Sequence, residues 1–156
     1  MEKTEKALRW ILGILEKHKV TYQISGGFAA KLHGATRELA DIDIEVPHEV
    51  FSKIMDEVKP FIFWGPTRFQ DENWDLVYAK IEYGGQKVDI TDGGSLKIID
   101  GKTKEVVLRK IDFSDFIEKE IFGMRVKVIP KEKLIRYKSV LGRDVDKLDI
   151  EQMKQE

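Results

Sequence analysis

The hydrophobic period of this chain changes near Pro60 and again near Pro130, and those two switches limit the folds open to it. Between the prolines, "DLVYAKIEY", "QKVDIT", "LKIID", "EVVLRKIDF" and "MRVKVIP" are short, rich in β-branched residues and separated by Gly, Asp and Lys turns. Such runs build strands. Gly84 and Gly85 stand between two of them as a hairpin signal. "SDFIEKE" reads as a helical turn capped by Ser114. Beyond Pro130, "KEKLIRYKSVL" and "DVDKLDIEQMKQ" follow helical spacing and break near Gly142.

Before Pro60 the two periods alternate. Thr4 can cap an opening helix whose Ala7, Leu8, Ile11, Leu12 and Leu15 form one apolar stripe, ending near His18. "VTYQI" predicts a strand, "SGG" a tight turn, and "FAAKLHG" a short helix closed by Gly34. "ADIDIEV" predicts a second strand, ended by Pro47, and "HEVFSKIMDEV" a further helix. This order predicts an α+β fold, a mixed β-sheet flanked by helices. A length of 156 residues suits one domain over residues 1–156, with a core at about 20–130 and C-terminal helices at about 131–155.

Charge points to no obligatory polyanionic partner, since 27 basic and 28 acidic residues leave a net charge of −1. Zero cysteines exclude disulfides, thiolate catalysis and Cys-ligated zinc. The opening "MEKTEKALRWILGILEKHKV" has charges among its apolar positions and does not read as a signal peptide. No run approaches the ~20 apolar residues of a membrane span. The expectation is a soluble, cytoplasmic protein with no membrane partner.

Strand alternation puts Asp41, Asp43 and Glu45 on one side of "ADIDIEV" and Ile42, Ile44 and Val46 on the other. A solvated acidic face is one reading. Aligned carboxylates repel, however, and Asp is a poor strand former, so a cation between them is the other. Magnesium suits such hard oxygen ligands. "QKVDIT" offers Asp89 as a third carboxylate, with Asp92 as an alternative that also reads as a turn residue. In "ISGGF", Gly26 and Gly27 let a phosphate approach the backbone, and Ser25 adds a hydroxyl.

Together, "SGGFAAKLHGATRELADIDIEV" resembles the signature of the nucleotidyltransferase (polymerase β-like) superfamily: strand, glycine turn, helix, then Asp-hydrophobic-Asp. His33-Gly34-x-x-Arg37 is similar to the minimal bacterial and archaeal members, among them lincosamide-type and abortive-infection nucleotidyltransferases. Leu39 stands where those members carry Thr. The tail "YKSVLGRDVDKLDIEQM" resembles their helical end, with an early Lys and a late Lys-x-Asp pair.

The resemblance implies a nucleotidyltransferase-like fold and transfer of a nucleoside monophosphate from an NTP to a hydroxyl acceptor, with release of pyrophosphate. It implies that Asp41 and Asp43 bind two ions, Mg²⁺ or Mn²⁺. Asp89 would complete one site and help activate the acceptor, while Ser25 and Gly26 would contact the phosphates. The acceptor is left open among a small molecule, a protein side chain and an RNA end. A homo-oligomer or partner subunit could help build the cleft. The alternative is a non-catalytic nucleotide-binding or regulatory module of a toxin–antitoxin-like pair.

Other residues carry two readings each. Arg37 is a triphosphate contact or a solvated loop residue. Lys138 is a phosphate contact or a surface lysine, and Lys147 and Asp149 read as helix-face charges. Glu45 reads as the exposed end of its strand, His33 as a helix-terminal imidazole, and His18 and His48 as terminal or capping groups. "FIFWGPTRF" and Trp74 form a sheet corner or a base-stacking face.

Overall fold

The computed structural model describes residues 2–155; the conformations of Met1 and Glu156 lie outside it. The chain runs α1 (Glu2–Lys17), β1 (Gln23–Ser25), α2 (Gly26–Leu32), β2 (Asp41–Val46) and α3 (His48–Val58). A 3₁₀ turn then leads to β3 (Ile62–Gln70), β4 (Trp74–Tyr83), β5 (Gln86–Asp92), β6 (Lys97–Ile99) and β7 (Val106–Leu108). β8 (Ile117–Ile121), β9 (Met124–Val128), α4 (Lys131–Leu141) and α5 (Asp144–Lys154) complete it.

The strands form one mixed sheet in the order β7-β6-β4-β5-β2-β1-β9-β8, with β3 pairing β4. β2 runs parallel to β5 and antiparallel to β1, and β1 is parallel to β9. This is the predicted α+β fold. Among the described residues no helix is long and apolar enough to cross a membrane.

Ile42, Ile44, Val46, Val88 and Ile90 carry the apolar face, each at most 1% exposed. α1 and α3 cover that face. Thr4 of α1 donates to Gln86 Oε1 at 2.7 Å, and His48 of α3 bonds Asp92 at 2.8 Å. Both partners share the β5 face of Val88 and Ile90. The opposite face holds the acidic residues and is walled by α2, α4 and α5.

Three expectations need correction. Thr4 caps nothing: it lies within α1, buried against Gln86. "VTYQI" shrinks to a ladder of three residues, although Val20 and Tyr22 are buried. "SDFIEKE" is not a helical turn. Ile117–Ile121 pairs antiparallel with β9 across Phe122-Gly123, whose φ values of 54° and 76° make a tight hairpin. Hairpin pairing with β9 overrides the helical preference of Glu and Lys there. The Gly84-Gly85 hairpin forms as expected, with φ values of 56° and 83°. "FIFWGPTRF" is mostly β3, an irregular ribbon on β4.

Candidate active site

Sheet register lays the polar residues out in a row. Ser25 at the end of β1 pairs with Asp43 of β2, Asp43 with Asp89 of β5, and Asp89 with Lys80 of β4. Neighbouring strands are about 4.8 Å apart, so these side chains rise from one face side by side. Asp41 lies two residues along the same face. The row is the floor of a cleft of about 420 Å³ that also takes in Gly26, Gly27, Arg37, Tyr78, Lys138 and Arg143. The eight residues that the sequence offered for metal or phosphate contacts, Ser25, Gly26, Gly27, Arg37, Asp41, Asp43, Asp89 and Lys138, therefore line one cavity.

The glycine turn is shaped around this row. Gly26 has φ +62°, and a Cβ there would lie 2.2 Å from Asp43 Oδ2. Backbone conformation and the carboxylate both demand glycine. A Cβ on Gly27 would stand 3.1 Å from Arg37 Nη2. Ser25 is 2% exposed, yet its Oγ has no hydrogen-bond partner. Leaving a buried hydroxyl unpaired costs about 1–3 kcal/mol, the usual sign of a group kept for a ligand.

Charge is crowded on the floor. Burial, then Asp89, Asp41 and Glu45, raise the Asp43 carboxyl well above the usual range, against the opposing charge of Lys138. Burial and Asp41 push Asp89 up to about 7, against Lys80 and Lys87. Tyr78 is pushed to about 12, by burial first and then the same carboxylates. Among the described residues no three acidic or imidazole groups stand converged as a chelate. The donor chemistry nevertheless fits a hard divalent cation: in-register carboxylates with surplus negative charge. Asp41, Asp43 and Asp89 are the aspartates that this face of β2 and β5 presents to the cleft.

A cationic wall faces the floor. Arg37 Nε and Nη2 donate to the two oxygens of Asp149 at 3.1 and 2.8 Å. Arg37 is neither a solvated loop residue nor unpaired. Lys138 is 1% exposed, which corrects the surface reading, and its Nζ lies 3.3 Å from Asp146 and 3.2 Å from Asp149. Asp149, read from sequence as a helix-face charge, is fully buried, whereas Lys147 is exposed.

Glu45 is also corrected. It is 5% exposed and gripped by both terminal nitrogens of Arg109, whose guanidinium lies 4.3 Å from the Tyr137 ring centroid. His33 is buried, its Nε2 2.7 Å from the Ile129 carbonyl oxygen, and it does not line the cleft. His18 pairs with Glu57 and His48 with Asp92, so neither is a simple cap. Asp92 accepts from the Gly94 N–H and stays outside the cleft.

Trp74, read from sequence as a sheet corner or a base-stacking face, lines the cleft from β4; sequence reasoning missed Tyr78 and Lys80 on the same face of β4, together with Tyr137 and Arg143. Period-2 alternation in "WDLVYAK" put Trp74, Leu76, Tyr78 and Lys80 on one side, a signal that could have found them. Trp64 and Phe69 gather around Tyr78, with ring centroids 4.9 and 5.9 Å away. The cleft therefore has both acidic and aromatic lining.

Comparison with known proteins bears on the family and the fold. The family model for aminoglycoside-2''-adenylyltransferases matches residues 7–155. A lincosamide resistance protein of Staphylococcus haemolyticus is 27% identical, over 97% of this chain and 94% of that one. The fold is shared with a candidate nucleotidyltransferase of Thermotoga maritima, at TM-score 0.74 and 22% identity, covering 99% of this chain and 92% of the other. It is shared too with the lincomycin-bound lincosamide antibiotic adenylyltransferase LnuA, at TM-score 0.63 and 24% identity, over 96% of both chains.

Proposed function

The chain belongs to the aminoglycoside-2''-adenylyltransferase family, and on that premise we propose that it moves a nucleoside monophosphate from an NTP to a hydroxyl of a small, antibiotic-like acceptor. The observation that carries the reading is the orphaned, buried Ser25 hydroxyl beside a glycine turn that is moulded on Asp43.

In this reading Ser25 Oγ and the Gly26 and Gly27 N–H groups bind the leaving phosphates, and Arg37 and Lys138 neutralise their charge. Asp41, Asp43 and Asp89 would hold Mg²⁺ or Mn²⁺. When bound, such ions offset charge on the transferred phosphoryl group and orient it for in-line displacement. Asp89, at the centre of the row, takes the proton of the acceptor hydroxyl. The acceptor oxygen forms a bond to the α-phosphorus, the α–β bridging bond breaks, and pyrophosphate leaves with its electron pair. The aromatic lining, Trp74, Tyr78 and Tyr137, supplies flat apolar surface for the acceptor.

Incubation with α-labelled ATP, Mg²⁺ and a panel of lincosamides and aminoglycosides tests the reaction directly. Label transfer to a panel member that is lost in Asp43→Ala is the expected result. In parallel, metal and ATP together raise the melting temperature of wild type beyond either alone, and Asp43→Ala removes the joint effect. Wild type that shows neither label transfer nor joint stabilisation overturns the proposal.

A further inference from the structure

The most deeply buried charges among the described residues lie at and behind one wall of the cleft. Lys138, Asp146 and Asp149 are 1%, 0% and 0% exposed. They belong to an alternating chain of five groups: Arg37, Asp149, Lys138, Asp146 and Arg143. Arg143 closes it through Nε and Nη2, which donate to the two Asp146 oxygens at 2.7 and 3.0 Å. Three cations face two carboxylates, so one positive charge is left over.

The placement is asymmetric. Arg37, Lys138 and Arg143 all line the cleft, whereas neither Asp146 nor Asp149 does. The carboxylates stand behind the cations and face them rather than a ligand. Buried ion pairs stabilise a fold no better than apolar packing of the same volume, so stability alone gives weak reason for such a chain. Position gives a better one. Asp149 grips Arg37 with both oxygens, a bidentate geometry that fixes the plane of the guanidinium. That guanidinium lies across Gly27, where a Cβ would stand only 3.1 Å from Nη2.

We propose that Asp149 is a positioning residue of the nucleotide site: from α5 it fixes Arg37 across the glycine turn, with Lys138 beside it, and so sets affinity for the nucleotide's phosphates. The proposal rests on the nucleotidyltransferase reading for the identity of its ligand. α5 thereby becomes part of the binding site although no carboxylate of it touches the ligand.

The test uses the full chain as wild type, Asp149→Asn, Arg37→Lys and the double variant. Arg37→Lys keeps the buried pair charged but removes the fork, so it serves if Asp149→Asn does not fold. With ATP and Mg²⁺ as probe, each single variant is expected to weaken binding about tenfold, and in Asp149→Asn the loss is expected to fall on the KM for ATP rather than on kcat. The double variant is expected to bind no worse than the weaker single one, because both changes remove the same contact. Multiplied losses in the double variant, or a lowered melting temperature with unchanged ATP affinity, overturn the proposal.

A second readout is independent of nucleotide. The Arg37 Nε–H resonance is expected to be protected from water exchange in wild type and unprotected in Asp149→Asn. Equal exchange in both overturns the positioning role. Failure of wild type to bind ATP while that resonance is protected overturns the nucleotide reading and leaves the Asp149–Arg37 geometry standing.

Discussion

At the scale of single residues, the site is defined by two side-chain deficits. Gly26 lacks a side chain because Asp43 Oδ2 occupies the place of its Cβ. Gly26→Ala meets both that carboxylate and a positive φ, and is expected to lose about 1–3 kcal/mol of unfolding free energy. Urea denaturation measures it, and an unchanged midpoint contradicts the geometry. Ser25 lacks a partner. Ser25→Ala relieves an unsatisfied hydroxyl and is expected to raise unfolding free energy by about 1 kcal/mol while weakening ATP binding. Gain and loss in one variant is the signature of a group kept for a ligand; a variant both less stable and unchanged in binding speaks against it. Glycine spacing alone revealed the turn. It could not reveal what fills the space above each glycine, since Asp43 and Arg37 arrive from later in the chain.

At the scale of elements, α5 carries the clearest pH dependence. Burial pushes the Asp149 carboxyl up, but hydrogen bonds from Arg37 and the charge of Lys138 outweigh it and hold the group below the ordinary carboxylate range. Its native pKa is therefore lower than its unfolded one. The interaction stabilises the fold above the unfolded value and is lost as pH falls through the native one. The difference in urea midpoint between wild type and Asp149→Asn is expected to be large at about pH 7 and to shrink toward about pH 3. A constant difference contradicts this. Helices with a regular stripe, α1 and α3, were legible because their apolar spacing needs no partner to be recognised. β8 was not, because "IEKEI" becomes a strand only when β9 folds back beside it.

At the scale of the whole molecule, the parallel pairing of β2 with β5 joins residues 46 positions apart in sequence and puts Asp43 beside Asp89. Central strands are covered by helices, whereas β7 is a three-residue edge with Val106 and Leu108 exposed. Native-state hydrogen exchange is expected to be slowest in β1, β2 and β5 and fastest in β7. Thermal unfolding followed by tryptophan fluorescence and by far-UV circular dichroism is expected to coincide in one transition. Separate transitions would divide the chain into independently folding parts.

Local chemistry by itself determined the α+β class, the helices flanking the strands, the glycine turn and the face shared by Asp41, Asp43 and Glu45. Periods of 3.6 and 2.0 and the conformational demands of glycine are properties of short windows. Tertiary structure alone decided which charges were left for a ligand. Glu45 shares its face with Asp41 and Asp43 and lines the same cleft, yet Arg109, 64 residues away, holds it in a bidentate ion pair. Lys138 and Asp149 read as solvent charges until α4 and α5 bury them against each other. An ion pair depends on distance in space, which a helical or strand period does not encode.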